Sequence, residues 1–364
     1  MTYFTSLLVA NRGEIAVRVI RACRSLGIEA IAIYSDADAR ALHVREADRA
    51  IRMGPPPAKD SYLNIAAIIA AAQQTGAQAI HPGYGFLSEN TAFACACTEA
   101  GIAFVGPSPE AIEAMGSKSA AKKLAQSVGV PIIAGYIGDD QSLDVLMREA
   151  ERIGFPLLIK ASAGGGGKGM RSVYNAADFA DALAGAKREA MAAFADDHVL
   201  LEQLLIKPRH IEIQVIADHF GNIVHLGERE CSIQRRHQKV VEESPSIALS
   251  SELRADMGAA AVRLAQAVNY RNAGTLEFML DQQGKFYFLE MNTRLQVEHP
   301  VTEEVTGIDL VQTQIAIAAN QPLPWKQDDI TQHGHAIEVR LYAEDPVAML
   351  PSIGTITTYN PPEG

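Results

Sequence analysis

Cysteine is scarce in this chain: Cys23, Cys95, Cys97 and Cys231 are the four among 364 residues, and no two form a C-x-x-C pair. They support no disulfide framework, so a reducing compartment is expected; with no targeting segment visible, that compartment is read as the cytoplasm. Cys95 and Cys97 lack a neighbouring histidine cluster and read as small buried apolar residues, not zinc ligands. Long apolar runs are missing too. No stretch approaches the ~18 consecutive apolar residues of a membrane span, and the run at 7–10 breaks at Asn11 and Arg12. Positive charge is in deficit, with 32 Lys and Arg against 43 Asp and Glu and a net charge of −11. That excludes non-specific nucleic-acid binding, which needs a basic surface, but not small anions met by a few local cations.

What is present is a chain too long for one core, since single cores rarely grow past about 250 residues. Strand and helix patterns alternate over the first hundred or so residues. Residues 7–10 read as a buried strand; Ile15, Val19, Ala22 and Leu26 recur at helical spacing; 28–34 is a second strand, 63–74 a helix, and 79–80 and 102–105 further strands. Such alternation predicts an α/β unit with a Rossmann-like parallel sheet. Asn11-Arg12-Gly13-Glu14 stands where a dinucleotide-binding loop would carry three glycines and has one, so no NAD site is expected. Residues 108–141 read as helical, with Lys118 near a helix start. Beyond 157, strands dominate (199–205, 210–217, 223–226, 275–280, 286–291) around one helix, 176–193. The stretch 335–359 reads as strand-rich, and the ending at Gly364 carries no structural stop, which is read as a fragment.

Chemical signals concentrate in two places. Gly164-Gly165-Gly166-Gly167-Lys168 interrupts two strand-like runs, with Lys160 just before it. Four glycines in a row bury no side chain and give up chain entropy, so packing does not explain them. They let backbone N–H groups approach phosphate oxygens. No Ser or Thr follows Lys168, so this is not the P-loop pattern; a flexible linker is the other reading. The second place is a hairpin over 275–292. With Gln283-Gly284 as a two-residue turn, Glu277 lies opposite Glu290, and Asn292 and Arg294 share the face of Glu290. Carboxylates about 4 Å apart repel by ~4 kcal/mol at an effective dielectric of ~20. Magnesium or manganese would relieve that. A turn one residue longer would slip the register, and a solvent-facing acidic pair is the plainer alternative.

Together with the motifs Ala10-Asn11-Arg12-Gly13-Glu14-Ile15-Ala16, His81-Pro82-Gly83-Tyr84-Gly85-Phe86-Leu87-Ser88-Glu89-Asn90, Pro208-Arg209-His210-Ile211-Glu212, Arg235-Arg236-His237-Gln238-Lys239-Val240-Val241-Glu242-Glu243 and the run from Asn292 to Glu303, these elements resemble the biotin carboxylases, a branch of the ATP-grasp superfamily. The resemblance covers essentially the whole chain. It implies an N-terminal domain over 1–115, an ATP-grasp domain over 116–320 with a glycine-rich lid around 131–205, and the start of a strand-rich C-terminal domain over 321–364.

The implied activity is ATP- and bicarbonate-dependent carboxylation of biotin through carboxyphosphate, the first half-reaction of a biotin-dependent carboxylase, with an acyl-CoA as the expected final acceptor. Carried over residue by residue, Lys118 and Lys160 meet the nucleotide phosphates and Gly166 and Gly167 belong to the closing lid. Glu202, Gln203, Leu204 and Leu205 hold adenine largely through backbone groups, and His210 and His237 line the nucleotide pocket. Glu277 and Glu290 bind Mg²⁺ or Mn²⁺, with Asn292 assisting. Lys239, Arg294, Gln296 and Val297 grip bicarbonate, Glu298 is the general base, and Arg340 stabilises the biotin anion. Read without the resemblance, His210 and His237 are ordinary polar residues, Arg235 and Arg236 structural ion-pair partners, and Arg340 a solvent-side strand residue, because it alternates with Ile337, Val339 and Leu341. Gln203 departs from the lysine that many relatives carry. No A-M-K-M stretch is present, so biotin is expected on a separate carrier protein or domain. A carboxyltransferase partner and a homodimer or larger complex are implied by the resemblance alone. An ATP-grasp ligase with another acceptor, or a truncated ATP-binding fragment, are the competing readings.

Overall fold

The computed structural model describes residues 3–162, 170–236, 238–352 and 354–360. Among the described residues, fifteen strands fall into three sheets in chain order. The first holds β1 (Ser6–Val9), β2 (Glu29–Ser35), β3 (Arg49–Gly54), β4 (Ala79–His81) and β5 (Ala103–Phe104). All are parallel, in the order β3-β2-β1-β4-β5, as the alternation of strands and helices predicts. β3, rich in Arg, was not legible as a strand.

β1 is buried on both faces, and its residues alternate between two layers. Leu7 and Val9 pack with helix Gly13–Ser25, while Leu8 and Ala10 pack with helices Ile65–Thr75 and Thr91–Glu99. Each fully buried aliphatic side chain there contributes roughly 1.5–3 kcal/mol. At the carboxyl ends of β1 and β4, Asn11 Nδ2 donates to the carbonyls of Pro82 (2.7 Å) and Tyr84 (2.8 Å), tying the Asn11-Arg12 and His81–Phe86 turns together. Gly83 is required in that turn: its φ is +63°, and a Cβ would meet Ile15 and Asn11 at about 3 Å.

A four-stranded antiparallel sheet follows, made of β6 (Gly135–Tyr136), β7 (Leu157–Ala161), β8 (Arg171–Val173) and β9 (Val199–Gln203) in the order β6-β9-β7-β8. It packs on helices Leu143–Ile153 and Phe179–Phe194. The largest sheet is antiparallel: β10 (Arg209–Ala217), β11 (Ile223–Arg235), β12 (Gln238–Ser244), β13 (Asn272–Leu280), β14 (Phe286–Asn292) and β15 (Ala336–Val339), in the order β14-β13-β10-β11-β12-β15. One face rests on helices Lys118–Ser127 and Ser251–Ala267. β12 was also missed in the sequence, because its Gln-Lys-Val-Val-Glu-Glu-Ser run lacks simple alternation.

Helix Leu310–Ala318 leaves this second part of the chain and packs its Leu310, Val311 and Ile315 into the core beneath the first sheet. The strand-rich expectation for 335–359 is corrected: among the described residues that stretch forms only β15 and an isolated bridge between Glu344 and Pro351. Its alternating pattern is real, but β15 has a single neighbour, β12, and the apolar side chains beyond it are exposed. No helix among the described residues is long and apolar enough to cross a membrane. Cys97 is buried as expected, whereas Cys95, expected to be buried, is half-buried; Cys23 and Cys231 are buried as well.

Candidate active site

The period of two divides the largest sheet into an apolar and a charged face. On β10, Ile211, Ile213 and Val215 enter the core, which turns His210, Glu212 and Gln214 the other way; on β13, Leu276 and Phe278 do the same for Thr275 and Glu277. The register then sets one transverse row across four strands: Arg229, Glu212, Glu277 and Glu290. The expected opposition of Glu277 and Glu290 is therefore present, but by another route. The hairpin closes with Asp281 N–H on the Lys285 carbonyl and Gly284 at φ +79°, a turn one residue longer than assumed. The outer rungs are accordingly slipped, with Phe278 opposite Phe288. An extra residue, Leu289, bulges from β14 and restores the register at Glu290.

Three carboxylates in a buried region need cations, and the structure supplies them mainly from two residues. Lys239 on β12 donates to Glu212 Oε2 (2.5 Å), Glu277 Oε1 (2.9 Å) and Glu298 Oε1 (2.6 Å). Burial alone would lower the Lys239 ammonium, but Glu212, Glu277 and Glu298 outweigh it and hold it well above its usual value. Arg229 is fully buried and donates to Glu212 (2.5 Å), Gln214 (2.8 Å), Thr302 (2.9 Å), Thr275 (3.2 Å) and the Gln296 Oε1 (2.7 Å). That last bond fixes the Gln296 amide so that its Nε2 donates to Glu277 Oε1 at 3.0 Å. His210 Nε2 lies 2.9 Å from Glu277. Burial would raise the Glu277 carboxyl; Lys239 and His210 prevail and hold it well below the usual range.

Glu290 differs. Burial and the charge of Glu277 raise its carboxyl against the pull of Lys118, whose Nζ is 3.9 Å away, and of Lys160. Glu277, Glu290 and Asn292 thus present hard oxygens with one carboxylate under-neutralised, a donor set that fits a divalent magnesium or manganese ion. Asn292 Nδ2 donates to Glu277 (2.8 Å), and its Oδ1 accepts from Arg294 Nη2 (3.0 Å).

These groups border one cavity of about 400 Å³. Lys118, Lys160, His210, Lys239, Glu277, Glu290, Asn292, Arg294, Gln296, Val297, Glu298 and Arg340, all named from the sequence, line it together. Glu298, at the N-terminal edge of helix His299–Thr306, is held at both oxygens: Lys239 on Oε1 and Arg340 Nη2 on Oε2 at 2.9 Å. Arg340 Nε donates to Glu242 at 2.6 Å. Arg294 Nε donates to Glu89 at 2.9 Å, and Glu89 also accepts from the Thr293 N–H, so the first sheet's loop anchors the bicarbonate-gripping candidate.

At the other end, Lys118 opens its helix under a Ser117 cap, and Lys122, one turn on, lines the cavity with it. Burial pushes the Lys160 ammonium down to about 8 and Lys122 well below its usual value. Both pair with the buried Glu202, Lys160 at 2.5 Å. The Glu202 carboxylate is thus used by lysines. Gln203 is exposed, and the Gln203 and Leu204 N–H groups bond the Ala134 and Pro156 carbonyls; Glu202–Gln203–Leu204–Leu205 is not brought to the cavity wall as the other candidates are. Gly166, Gly167 and His237 lie outside the described residues. Arg235 makes a two-pronged ion pair with Glu344 (2.6 and 2.7 Å), the structural role weighed for it.

The sequence reading missed Glu212, Arg229, Glu242 and Lys122, and gave Glu89 no role. Lys122 was findable from its four-residue spacing to Lys118; Glu212 was not, because it alternates with apolar residues as a solvent-side residue would. Arg229 between Glu228 and Glu230, Glu242 beside Glu243 and Glu89 between Ser88 and Asn90 have neighbours that mark no face.

Comparison with known proteins bears directly on this geometry. The family model "Biotin carboxylase, N-terminal domain" matches residues 3–112, and "Carbamoyl-phosphate synthase L chain, ATP binding domain" matches 117–326. The biotin carboxylase of Halalkalibacterium halodurans is 54% identical over 364 residues, covering 99% of this chain and 80% of that protein. The chain belongs to the biotin carboxylase family. Within that family it is also 53% identical to the mitochondrial methylcrotonoyl-CoA carboxylase subunit alpha of Arabidopsis thaliana, covering 98% of this chain and 49% of that one. The chain thus spans about half the length of several curated relatives it matches. The biotin carboxylase domain dimer of Hydrogenobacter thermophilus 2-oxoglutarate carboxylase, solved with MgADP, ADP and bicarbonate, superposes with a TM-score of 0.96 at 49% identity, covering 100% of this chain and 80% of that one.

Proposed function

We propose that this chain carboxylates biotin at the expense of ATP and bicarbonate, through carboxyphosphate, as the first half-reaction of a biotin-dependent carboxylase. The observation that carries the reading is Glu298, a buried carboxylate on the cavity wall gripped at one oxygen by Lys239 and at the other by Arg340. A base so fixed has one task that fits: to take the proton of a small anion that Lys239, Arg294 and Gln296 hold beside it. Lys118 and Lys160 meet the phosphates of ATP from the far end of the same cavity. A divalent ion held by Glu277 and Glu290, with Asn292, would neutralise phosphate charge there. Deprotonated bicarbonate attacks the γ-phosphorus, ADP leaves, and carboxyphosphate breaks to CO2 and phosphate. The phosphate takes the ureido N1 proton of biotin, and Arg340 stabilises the resulting anion until N1 attacks CO2.

The solved relative with MgADP and bicarbonate supports the same ligand set. Biotin arrives on a carrier protein or domain, and a carboxyltransferase takes the product on to an acyl-CoA. A dimer is proposed from the dimeric relative. The experiment is ATP hydrolysis by this chain with Mg²⁺ and bicarbonate, with and without free biotin. Bicarbonate-dependent turnover stimulated by biotin is expected, and Glu298→Gln and Arg340→Ala each abolish biotin carboxylation. Near-normal carboxylation in either variant removes that residue from its role; phosphate release indifferent to biotin points to another acceptor.

A further inference from the structure

On the β12–β15 wall beside the cavity a second pair of carboxylates stands opposed, and the reaction above uses neither. Glu242 and Glu338 are register partners in that ladder, so both leave the sheet on one face. Glu242 is fully buried, and Arg340 Nε donates to its Oε1 at 2.6 Å. Its other oxygen, Oε2, is buried with no hydrogen-bond donor, and Oε2 of Glu338 is in the same condition. A buried acceptor without a donor costs roughly 1–3 kcal/mol, more when charged. Two such oxygens projecting from one rung have an evident remedy: one carboxyl keeps its proton and donates it to the other, which leaves a single negative charge for Arg340.

We propose that Glu242 and Glu338 share one proton and act as a positioning pair for Arg340, holding its guanidinium so that Nη2 remains on Glu298. The inference rests on the reading of Glu298 and Arg340 given above and adds a proton-dependent support behind them.

The surroundings favour the shared proton. Glu338 faces Glu242 from β12, Glu298 from the edge of helix His299–Thr306, Arg340 from just beyond its own strand and Arg229 from β11. Tyr84, which donates to Glu14 in the first sheet's turn region, also lies in the field of Glu338 and Arg340. Glu242 feels Glu212 on β10 as well as Arg340 and Glu298. Burial and the two anions outweigh the cations, so the Glu338 carboxyl is pushed up to about 8 and Glu242 is raised. When the shared proton leaves for solvent, the pair goes from one negative charge to two. The added charge then competes with Glu298 for the Arg340 guanidinium.

The test is an infrared pH titration of the whole chain, with E338Q and E242Q as assigning variants, alongside the pH profile of bicarbonate-dependent ATP hydrolysis. The wild type should show a protonated-carboxyl band at neutral pH that fades around pH 8, where the Glu338 carboxyl titrates, and that E338Q removes. Turnover should fall by about ten-fold per pH unit beyond that point, and E338Q should lose this alkaline fall. Absence of such a band in the wild type overturns the shared proton without recourse to any variant. An unchanged alkaline fall in E338Q overturns the positioning role. A band with no bicarbonate-dependent turnover at all overturns the proposed function, and the positioning role with it, while the shared proton stands.

Discussion

Lys239 meets Glu212, Glu277 and Glu298 within 2.9 Å, so its ammonium neutralises the charge of three buried carboxylates. Breaking a buried charge pair by removing one partner costs ~3–5 kcal/mol. Lys239→Met should therefore lower unfolding stability by about that much in urea denaturation, and adding Glu212→Gln should recover part of it, because one orphaned anion is gone. A loss under ~1 kcal/mol would mean that solvent reaches these carboxylates. The contrast with the sequence is instructive here. Glu277, Glu290 and Glu298 were legible because a hairpin pattern and a family motif singled them out. Glu212 was not, since a buried charge inside an alternating strand has the same pattern as an exposed one, and Arg229 and Glu242 were not, since the charged residues beside them mark no face. Only the packing of Leu276, Ile211 and their neighbours on one face tells which side is dry.

Elements rather than residues decide where these side chains point. In β15 the usual rule is inverted: Ile337 and Val339 are exposed, while Glu338 turns toward Glu242 and Arg340, just past the strand end, reaches Glu298. Arg340 taken alone read as a solvent-side residue, and the ladder to β12 is what overturns that. The hairpin of β13 and β14 shows the same dependence. Its longer turn should have destroyed the facing of Glu277 and Glu290, and the bulge at Leu289 repairs it. Inserting one alanine between Leu289 and Glu290 pushes Glu290 one position past the rung of Glu277 and onto the opposite face. Mn²⁺ affinity, read by calorimetry, should fall more than about ten-fold, since two ligands no longer converge. Unchanged affinity would show that the metal is not held on this rung. Gly284→Ala is the milder control: a φ of +79° with open space around the Cβ predicts a stability cost of ~1–2 kcal/mol with the metal site intact.

Across the whole molecule the two halves are joined by polar as well as apolar contacts, and these make its stability depend on pH. His81, at the end of β4, meets Gln314 of helix Leu310–Ala318, while Arg18 reaches Glu303 (2.9 Å) and Asp309 (2.8 Å). Burial pushes His81 down to about 3 and His299 down to about 4, against ~6.5 in the unfolded chain. Below that unfolded value the unfolded chain binds more protons than the folded one, so stability falls as the pH falls, by up to ~1.4 kcal/mol per unit for each histidine. Glu338 has the opposite sign. With its folded carboxyl at about 8 and its unfolded one at ~4.3, the folded state binds the extra proton, and stability falls as the pH rises through that window. Between ~4.3 and ~6.5 the two histidines outweigh the one carboxyl, whereas above ~6.5 Glu338 is opposed by the buried lysines Lys122 and Lys160, whose lowered ammoniums give the unfolded chain the extra proton. Urea midpoints should accordingly rise from pH ~4.3 to ~6.5. His81→Gln, which keeps a polar side chain toward Gln314, should cut the acid slope by about one proton. An acid limb that begins only below ~4.3 in the wild type, in the range of ordinary carboxylates, would mean that His81 and His299 are not held neutral between the two halves.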